Sequence, residues 1–127
     1  MFELTINGVV YQFNFGMGFL REINKRVGVP VDGLPGVKEN VGLRYTVGLL
    51  LTNDLEALVD VLDIANKGFQ PRISREKLDA YIEDAETDID ALFTEVLDFL
   101  ESSNVTKKAV KDLLKAFEIR KQQKAQK

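Results

Sequence analysis

The fold turns on residues 1–26, MFELTINGVVYQFNFGMGFLREINKR. Phe2, Leu4 and Ile6 alternate with Glu3 and Thr5, and Val9, Tyr11, Phe13 and Phe15 alternate with Val10, Gln12 and Asn14. Between the two runs stands Asn7-Gly8, a strong short signal for a hairpin, because both central residues of a type I′ turn need positive φ. A two-residue loop sets Ile6 opposite Val9, Leu4 opposite Tyr11 and Phe2 opposite Phe13. All six then share one face, so turn chemistry and burial select the same register. Two strands are marginally stable alone, so that face must lie against helices. Five aromatic residues within the first nineteen are either a small core or a surface for another chain. The hairpin face reads as core, with Phe15, Met17 and Phe19 at its edge available to a partner.

Composition narrows the function. A chain of 127 residues with 45% hydrophobic content is long enough for one domain with a sizeable core. A net charge of −3 carries no electropositive footprint for nucleic acid. With no cysteine there is no disulfide framework, thiolate zinc site or thiol chemistry, and with no histidine the commonest general base and metal ligand are gone. Met1 leads into an alternating strand rather than a signal peptide, and the apolar runs are too short to span a bilayer. A soluble, cytosolic, non-catalytic domain without cofactor is expected.

Beyond the hairpin the spacing becomes helical. Gly16-Met17-Gly18 is a tight turn into a helix bearing Phe19, Leu20, Ile23 and Val27, with Gly28 as its C-cap. A phosphate cradle at those glycines lacks a third glycine, a following lysine and a βαβ unit. Residues 29–36, VPVDGLPG, read as a loop, and a helix is predicted over 37–51 with Val41, Tyr45, Gly48 and Leu49 on one face. Gly42 and Gly48 inside it each cost about 1 kcal/mol relative to alanine, which points to close backbone approach, a kink or a surface that reshapes. Asn53 or Asp54 caps a helix with Leu55, Leu58, Val59 and Leu62 inward, ending near Gly68. The stretch from Val47 to Leu51 is apolar nearly all round, more than one face of a small domain needs.

Ser74 reads as an N-cap with Ile73 and Leu78 as a hydrophobic staple and Leu78, Tyr81, Ile82 and Ala85 as the inner stripe. Thr87 opens the next helix in the pattern Thr-x-x-Asp, and its stripe is Ile89, Leu92, Phe93, Val96, Leu97 and Leu100. Thr106 caps a last helix, with Val105 and Val110 as staple and Leu113, Leu114 and Phe117 inward. The resulting fold class is α+β, mostly α, with an N-terminal hairpin (2–15) packed on a bundle of five to six helices. One domain covers 1–118, and 119–127 is a polar tail expected to fray.

Charge is segregated along the chain. Residues 76–104 hold ten acidic residues against Lys77, and residues 105–127 hold eight basic residues against Asp112 and Glu118. Two antiparallel helices with solvated faces of opposite sign account for this, and the basic helix lacks the interleaved aromatics of a base-stacking surface. Asp84, Glu86, Asp88, Asp90 and Glu95 occupy positions 1, 3, 5, 7 and 12 of a calcium loop, but the obligatory glycine at position 6 is Ile89. No metal site is expected, and no glycine-serine elbow or histidine supports catalysis.

The hairpin ELTINGVVYQFNFG (3–16) running into GFLREINKR (18–26), the apolar middle helices and DIDALFTEVLDFLESSNVTKKAVKDLLK (88–115) together resemble the tail assembly chaperones of long-tailed phages. The resemblance implies a protein of the bacterial host cytoplasm that coats the helical tape measure protein before the tail tube polymerises around it. It further implies absence from the mature virion, and a longer frameshifted form that recruits tail tube subunits, this chain being the short form. Such a chaperone needs apolar surface tolerable in solution, through self-association or a groove. Met17, Phe19, Tyr45, Gly48, Leu49 and Leu51 are the candidate partner-binding residues. Two alternatives stand beside it: a phage structural or head–tail joining subunit, and a small nucleic-acid-binding regulator using the basic last helix.

Overall fold

The structure is a computed structural model that describes residues 2–125, with side chains described as far as Glu118. Strand β1 (Phe2–Ile6) pairs antiparallel with β2 (Val9–Phe13) in the expected register, Phe2 opposite Phe13, Leu4 opposite Tyr11 and Ile6 opposite Val9. Asn7 and Gly8 have φ of 52° and 79°, the two positive values that the turn demands. Phe2, Leu4, Ile6, Tyr11 and Phe13 are buried, whereas Val9, beside the turn, is 40% exposed. Its partner Ile6 is covered at that end of the ribbon and Val9 is not.

Six helices follow among the described residues: α1 (Met17–Asn24), α2 (Gly42–Leu51), α3 (Leu55–Asn66), α4 (Arg75–Glu83), α5 (Ile89–Ser102) and α6 (Lys107–Ala125). The fold is therefore α+β and mostly α. Fraying over 119–127 falls on residues whose side chains, and for the last two whose backbone, lie outside the described residues.

The caps of α3 and α4 stand as read. Asp54 accepts the Ala57 amide at 2.9 Å and Ser74 the Lys77 amide at 3.2 Å. The cap of α5 is Asp88 rather than Thr87: its carboxylate accepts the Ala91 amide at 3.0 Å, while the Thr87 hydroxyl donates to the Tyr81 carbonyl at 2.6 Å. Thr106 precedes α6 but turns its buried hydroxyl back to the Leu100 carbonyl at 2.6 Å. Leu55, in the first turn of α3, is 44% exposed, and Ala85 lies exposed beyond the end of α4, so neither is a core position.

The largest departure lies at 28–40. In place of a loop and the first turn of a helix, β3 (Gly28–Pro30) and β4 (Lys38–Asn40) form a second antiparallel hairpin, and α1 stops at Asn24. Two successive turns build its tip. The Leu34 amide donates to Val31 and the Val37 amide to Leu34, with Gly33 and Gly36 at φ of 79° and 80°. Leu34-Pro35-Gly36-Val37 has proline where φ near −65° is wanted and glycine where φ must be positive, the signature of a type II turn. Residues 38–40 are taken up in pairing with 28–30, so α2 begins only after Val41.

One core joins the first hairpin to the helices. Phe2 meets Phe13 and Phe99 edge-on with centroids 5.7 and 5.5 Å apart, and Phe15 meets Phe19 at 5.1 Å and Phe99 at 5.7 Å. The N-terminal aromatics are thus core, and Phe15 and Phe19, expected at an accessible edge, are 1% and 5% exposed. Phe99 of α5 packs on Phe15, and Phe15 in turn on Phe19.

Asn66, at the last position of α3, is fully buried. Its amide nitrogen donates to the carbonyls of Gln12 at 2.9 Å and Pro71 at 3.4 Å, and its oxygen accepts from the Ile73 amide at 2.8 Å and the Arg72 guanidinium at 3.0 Å. One side chain thereby joins the edge of β2, the end of α3 and the segment entering α4. Leaving a buried donor or acceptor unsatisfied costs about 1–3 kcal/mol. Asn66→Ala strands the Gln12 carbonyl and the Ile73 amide together, so urea unfolding should show a loss of about 3 kcal/mol with an unchanged m value. A loss below about 1 kcal/mol would mean that water satisfies those groups.

Candidate partner-binding surfaces

The six residues singled out from sequence do not form one patch. Phe19 is core. Met17 stands 48% exposed in the first turn of α1. Tyr45, 55% exposed, is on the outer face of α2, and Gly48 lies one turn on, with nothing within 4 Å of the place a Cβ would occupy. Leu49 and Leu51 are half-buried. Two residues apart at about 100° per residue, they fall on opposite flanks of the helix, Leu49 beside Tyr45 and Leu51 away from it. Val41 precedes the helix and shares no face with them.

The two glycines of α2 have different causes. A Cβ on Gly42 would strike the Ile23 carbonyl oxygen and stand 2.9 Å from Asn24 Cα, so glycine is there for close approach of the end of α1. The Asn24 side chain, accepting the Leu43 amide at 3.2 Å, fixes the same junction. Gly48 touches nothing, and its smoothness faces solvent. It leaves a shallow saddle between Tyr45 and Thr52 on the outer surface of α2.

Leu51 lines an apolar groove of about 200 Å³ between α2, α5 and α6, with Leu97, Val110 and Leu114. Asp98 and Glu101 form its rim. Neither makes an ion pair among the described residues. The β3–β4 hairpin is a further accessible apolar feature. Every residue over 28–40 is exposed save half-buried Val31, including Val29 at 38%, Leu34 at 53% and Val37 at 47%.

Two carboxylates on α3 anchor a network of ion pairs. Asp60 and Asp63 on α3 pair with Arg26, Arg72 and Arg75 at 2.8–3.4 Å, clamping the α1 end and the start of α4 onto α3. The hydrogen bond it donates to Asp60 holds the Arg75 guanidinium above its ordinary pKa. The cleft of about 450 Å³ between α3 and α4 is lined by Asp60 and Arg75 of this network, by Glu56, Asp79 and Glu83, and by Leu55, Val59 and Ile82. Burial, and then the Glu95 carboxylate, push the Tyr81 phenol upward, away from any role as a base near neutrality.

The five acids at calcium-loop spacing are dispersed. Asp84 accepts the Glu86 amide at 2.9 Å, Asp88 caps α5, and Ile89 begins that helix where a loop would need glycine. Among the described residues no three acidic side chains converge as a metal would require. What this surface offers chemically is apolar contact and hydrogen bonding with another chain.

Sequence reasoning missed Asn66 and the arm at 28–40. The arm has a readable signal, since LPGV (34–37) carries turn chemistry at the boundary between the expected loop and helix. Asn66 had none, because an asparagine at a helix end resembles any polar cap.

Comparison with known proteins gives one positive finding. A family model described as phage tail assembly chaperone protein matches residues 3–115. Searches of curated proteins and of solved structures each return no match.

Because Gly42 and Gly48 sit in such different surroundings, alanine should act on them in opposite senses. Gly48→Ala should raise stability by about 0.5–1 kcal/mol through helix propensity. Gly42→Ala should lower it by about 1–3 kcal/mol through overpacking. Thermal melts followed by circular dichroism check both. Equal effects at the two positions would contradict the α1–α2 junction.

Proposed function

The chain belongs to the phage tail assembly chaperone family, and on that premise we propose that it binds the tape measure protein and keeps it soluble before the tail tube polymerises. A chaperone family points to a non-enzymatic role, and no cofactor enters the reading. The work is done in the host cytoplasm, and the protein leaves before the virion is complete.

The observation that carries this reading is the outer face of α2. Tyr45 offers a large, half-polar ring at 55% exposure, and Gly48 beside it leaves room for a second helix to come close. Leu49 flanks the same strip. A long helical client with one apolar side can lay that side along α2 by ridge-and-groove packing, an aromatic anchor and a smooth saddle fixing the approach. Burial of apolar surface drives such contact, so raised salt, which screens exposed charges within a Debye length of about 10 Å at 0.1 M, should leave it largely intact.

Co-expression tests the reading. Wild type should keep the tape measure protein in the soluble fraction and co-purify with it through a high-salt wash. Tyr45→Asp, at an exposed position, should retain the wild-type melting profile and lower the soluble client at least severalfold. Leu49→Gln should do the same to a smaller extent. If Tyr45→Asp folds and solubilises the client fully, α2 is not the binding face. If wild type never binds the client, or is instead found in purified virions, the chaperone reading fails in favour of a structural subunit.

A further inference from the structure

The first hairpin has one covered edge and one open edge. A two-residue loop makes Ile6 and Val9 a hydrogen-bonded pair, and bonded and non-bonded pairs then alternate along the antiparallel ladder. Phe2, Leu4 and Ile6 therefore bond to β2, while Glu3 and Thr5 turn their amides and carbonyls away from it. On β2 the outward residues are Val10 and Gln12. The bundle meets that side: the Gln12 carbonyl accepts the Asn66 side chain at 2.9 Å, and the next outward amide, that of Asn14, donates to Ala65 at 2.8 Å. Strand β1 has no such cover. It pairs with β2 alone, and among the described residues no other hydrogen bond reaches the backbone of Glu3 or Thr5. Its sequence, FELTI, contains no proline or lysine, and its pairing has no bulge, so the usual devices that blunt a strand edge are missing.

At its end near Thr5 and Asn7, β1 borders a cavity of about 340 Å³ shared with the turn that joins α4 to α5. The turn contributes Asp84, Glu86 and Asp88, and no basic residue lines the cavity. Glu3 adds a fourth carboxylate on the exposed face of β1. None of these four makes an ion pair among the described residues. Nor do three acidic side chains converge there as a metal ion would require. Carboxylates spread along a strand and a turn instead match cationic side chains that are themselves spread along a chain.

We infer that the open edge of β1 is a docking site for an extended, basic segment of another protein, which adds to the hairpin as a third strand. Glu3 and Thr5 each supply one backbone donor and one backbone acceptor to that strand, which lies about 4.8 Å from β1. Main-chain bonding holds any extended segment, and the side chains select among segments. A lysine or arginine opposite Glu3 forms a cross-strand pair on the exposed face. A second one, near Asn7, enters the cavity beside Asp84, Glu86 and Asp88. An acidic strand meets like charge at both places and is rejected. This inference stands on β1 and the turn between α4 and α5; it does not depend on α2 or on the identity of the client.

Fluorescence anisotropy with the full chain and two labelled peptides tests it, one alternating lysine with valine and the other glutamate with valine. The lysine peptide should bind, and the glutamate peptide should bind severalfold more weakly or not at all. Added salt should weaken the lysine peptide's binding, in contrast to the apolar contact proposed for α2. Hydrogen exchange read residue by residue should slow at the Glu3 and Thr5 amides when the lysine peptide is present. Thr5→Pro removes an amide that the hairpin does not use, so it should melt like wild type and bind roughly tenfold more weakly. Val10→Pro makes the same change on the other edge and should bind like wild type. Glu3→Lys/Glu86→Lys, at two exposed positions, should fold normally and reverse the preference toward the glutamate peptide. This charge-reversed variant and the exchange measurement decide the matter if Thr5→Pro fails to fold. Equal binding of the two peptides, a folded Thr5→Pro that binds like wild type, or exchange at Glu3 and Thr5 untouched by the peptide would each overturn the proposal. Slow exchange at both amides before any peptide is added would give the edge to a second copy of this chain and overturn it as well.

Discussion

A single buried carboxamide holds the two halves of this protein together. Asn66 closes α3, yet its side chain reaches the backbone of β2 on one side and of the segment before α4 on the other. Beside it the Asn14 amide donates to the Ala65 carbonyl at 2.8 Å. Hydrophobic burial alone would allow the hairpin to slide over the helices, since apolar contact has no direction. Buried hydrogen bonds permit only one arrangement, because any slip leaves donors and acceptors unsatisfied. The aromatic cluster supplies attraction between hairpin and bundle; Asn66 supplies the register.

That register decides which apolar side chains remain for other molecules. With the hairpin pinned, Phe15 packs on Phe99 of α5 and Phe19 on Phe15, and both leave the surface, while Met17 remains outside. The close junction at Gly42 sets α2 against the end of α1 and turns Tyr45 outward, with Leu51 toward α5 and α6. The ion pairs of Asp60 and Asp63 fasten α3 to its neighbours at the surface, where each pair adds little on its own but several share the same two carboxylates. The rigid part of the molecule thus presents apolar surface at separate places: the outer strip of α2, the groove at its end, and the arm at its beginning.

Such an arrangement suits a chain of a phage tail assembly chaperone family. Catalysis requires titratable groups gathered and tuned in one cleft. Here, of the acids that run close together in sequence, Asp84 serves a turn and Asp88 a helix cap, and the tyrosine shifted by burial moves away from neutrality. Binding by apolar contact needs none of that tuning, only surface kept small enough to remain soluble.

The sequence by itself determined the first hairpin, its register, the caps of α3 and α4, the inward stripe of α5 and the lack of histidine and cysteine chemistry. Each of these is local: a turn type follows from Asn7-Gly8, a cap from one side chain and an amide three residues on, a face from a period of two or 3.6 residues. Tertiary structure alone decided that Phe19 is core, that Asn66 is a hub, that Gly42 meets α1 while Gly48 meets nothing, and that Leu49 and Leu51 serve different surfaces. It also decided 28–40, where local turn signals competed with a helical pattern and lost in the reading. The physical reason is range. Burial and buried hydrogen bonding depend on which distant segment arrives at a residue, here a β2 carbonyl fifty-four positions from Asn66, and no short-range pattern encodes that arrival.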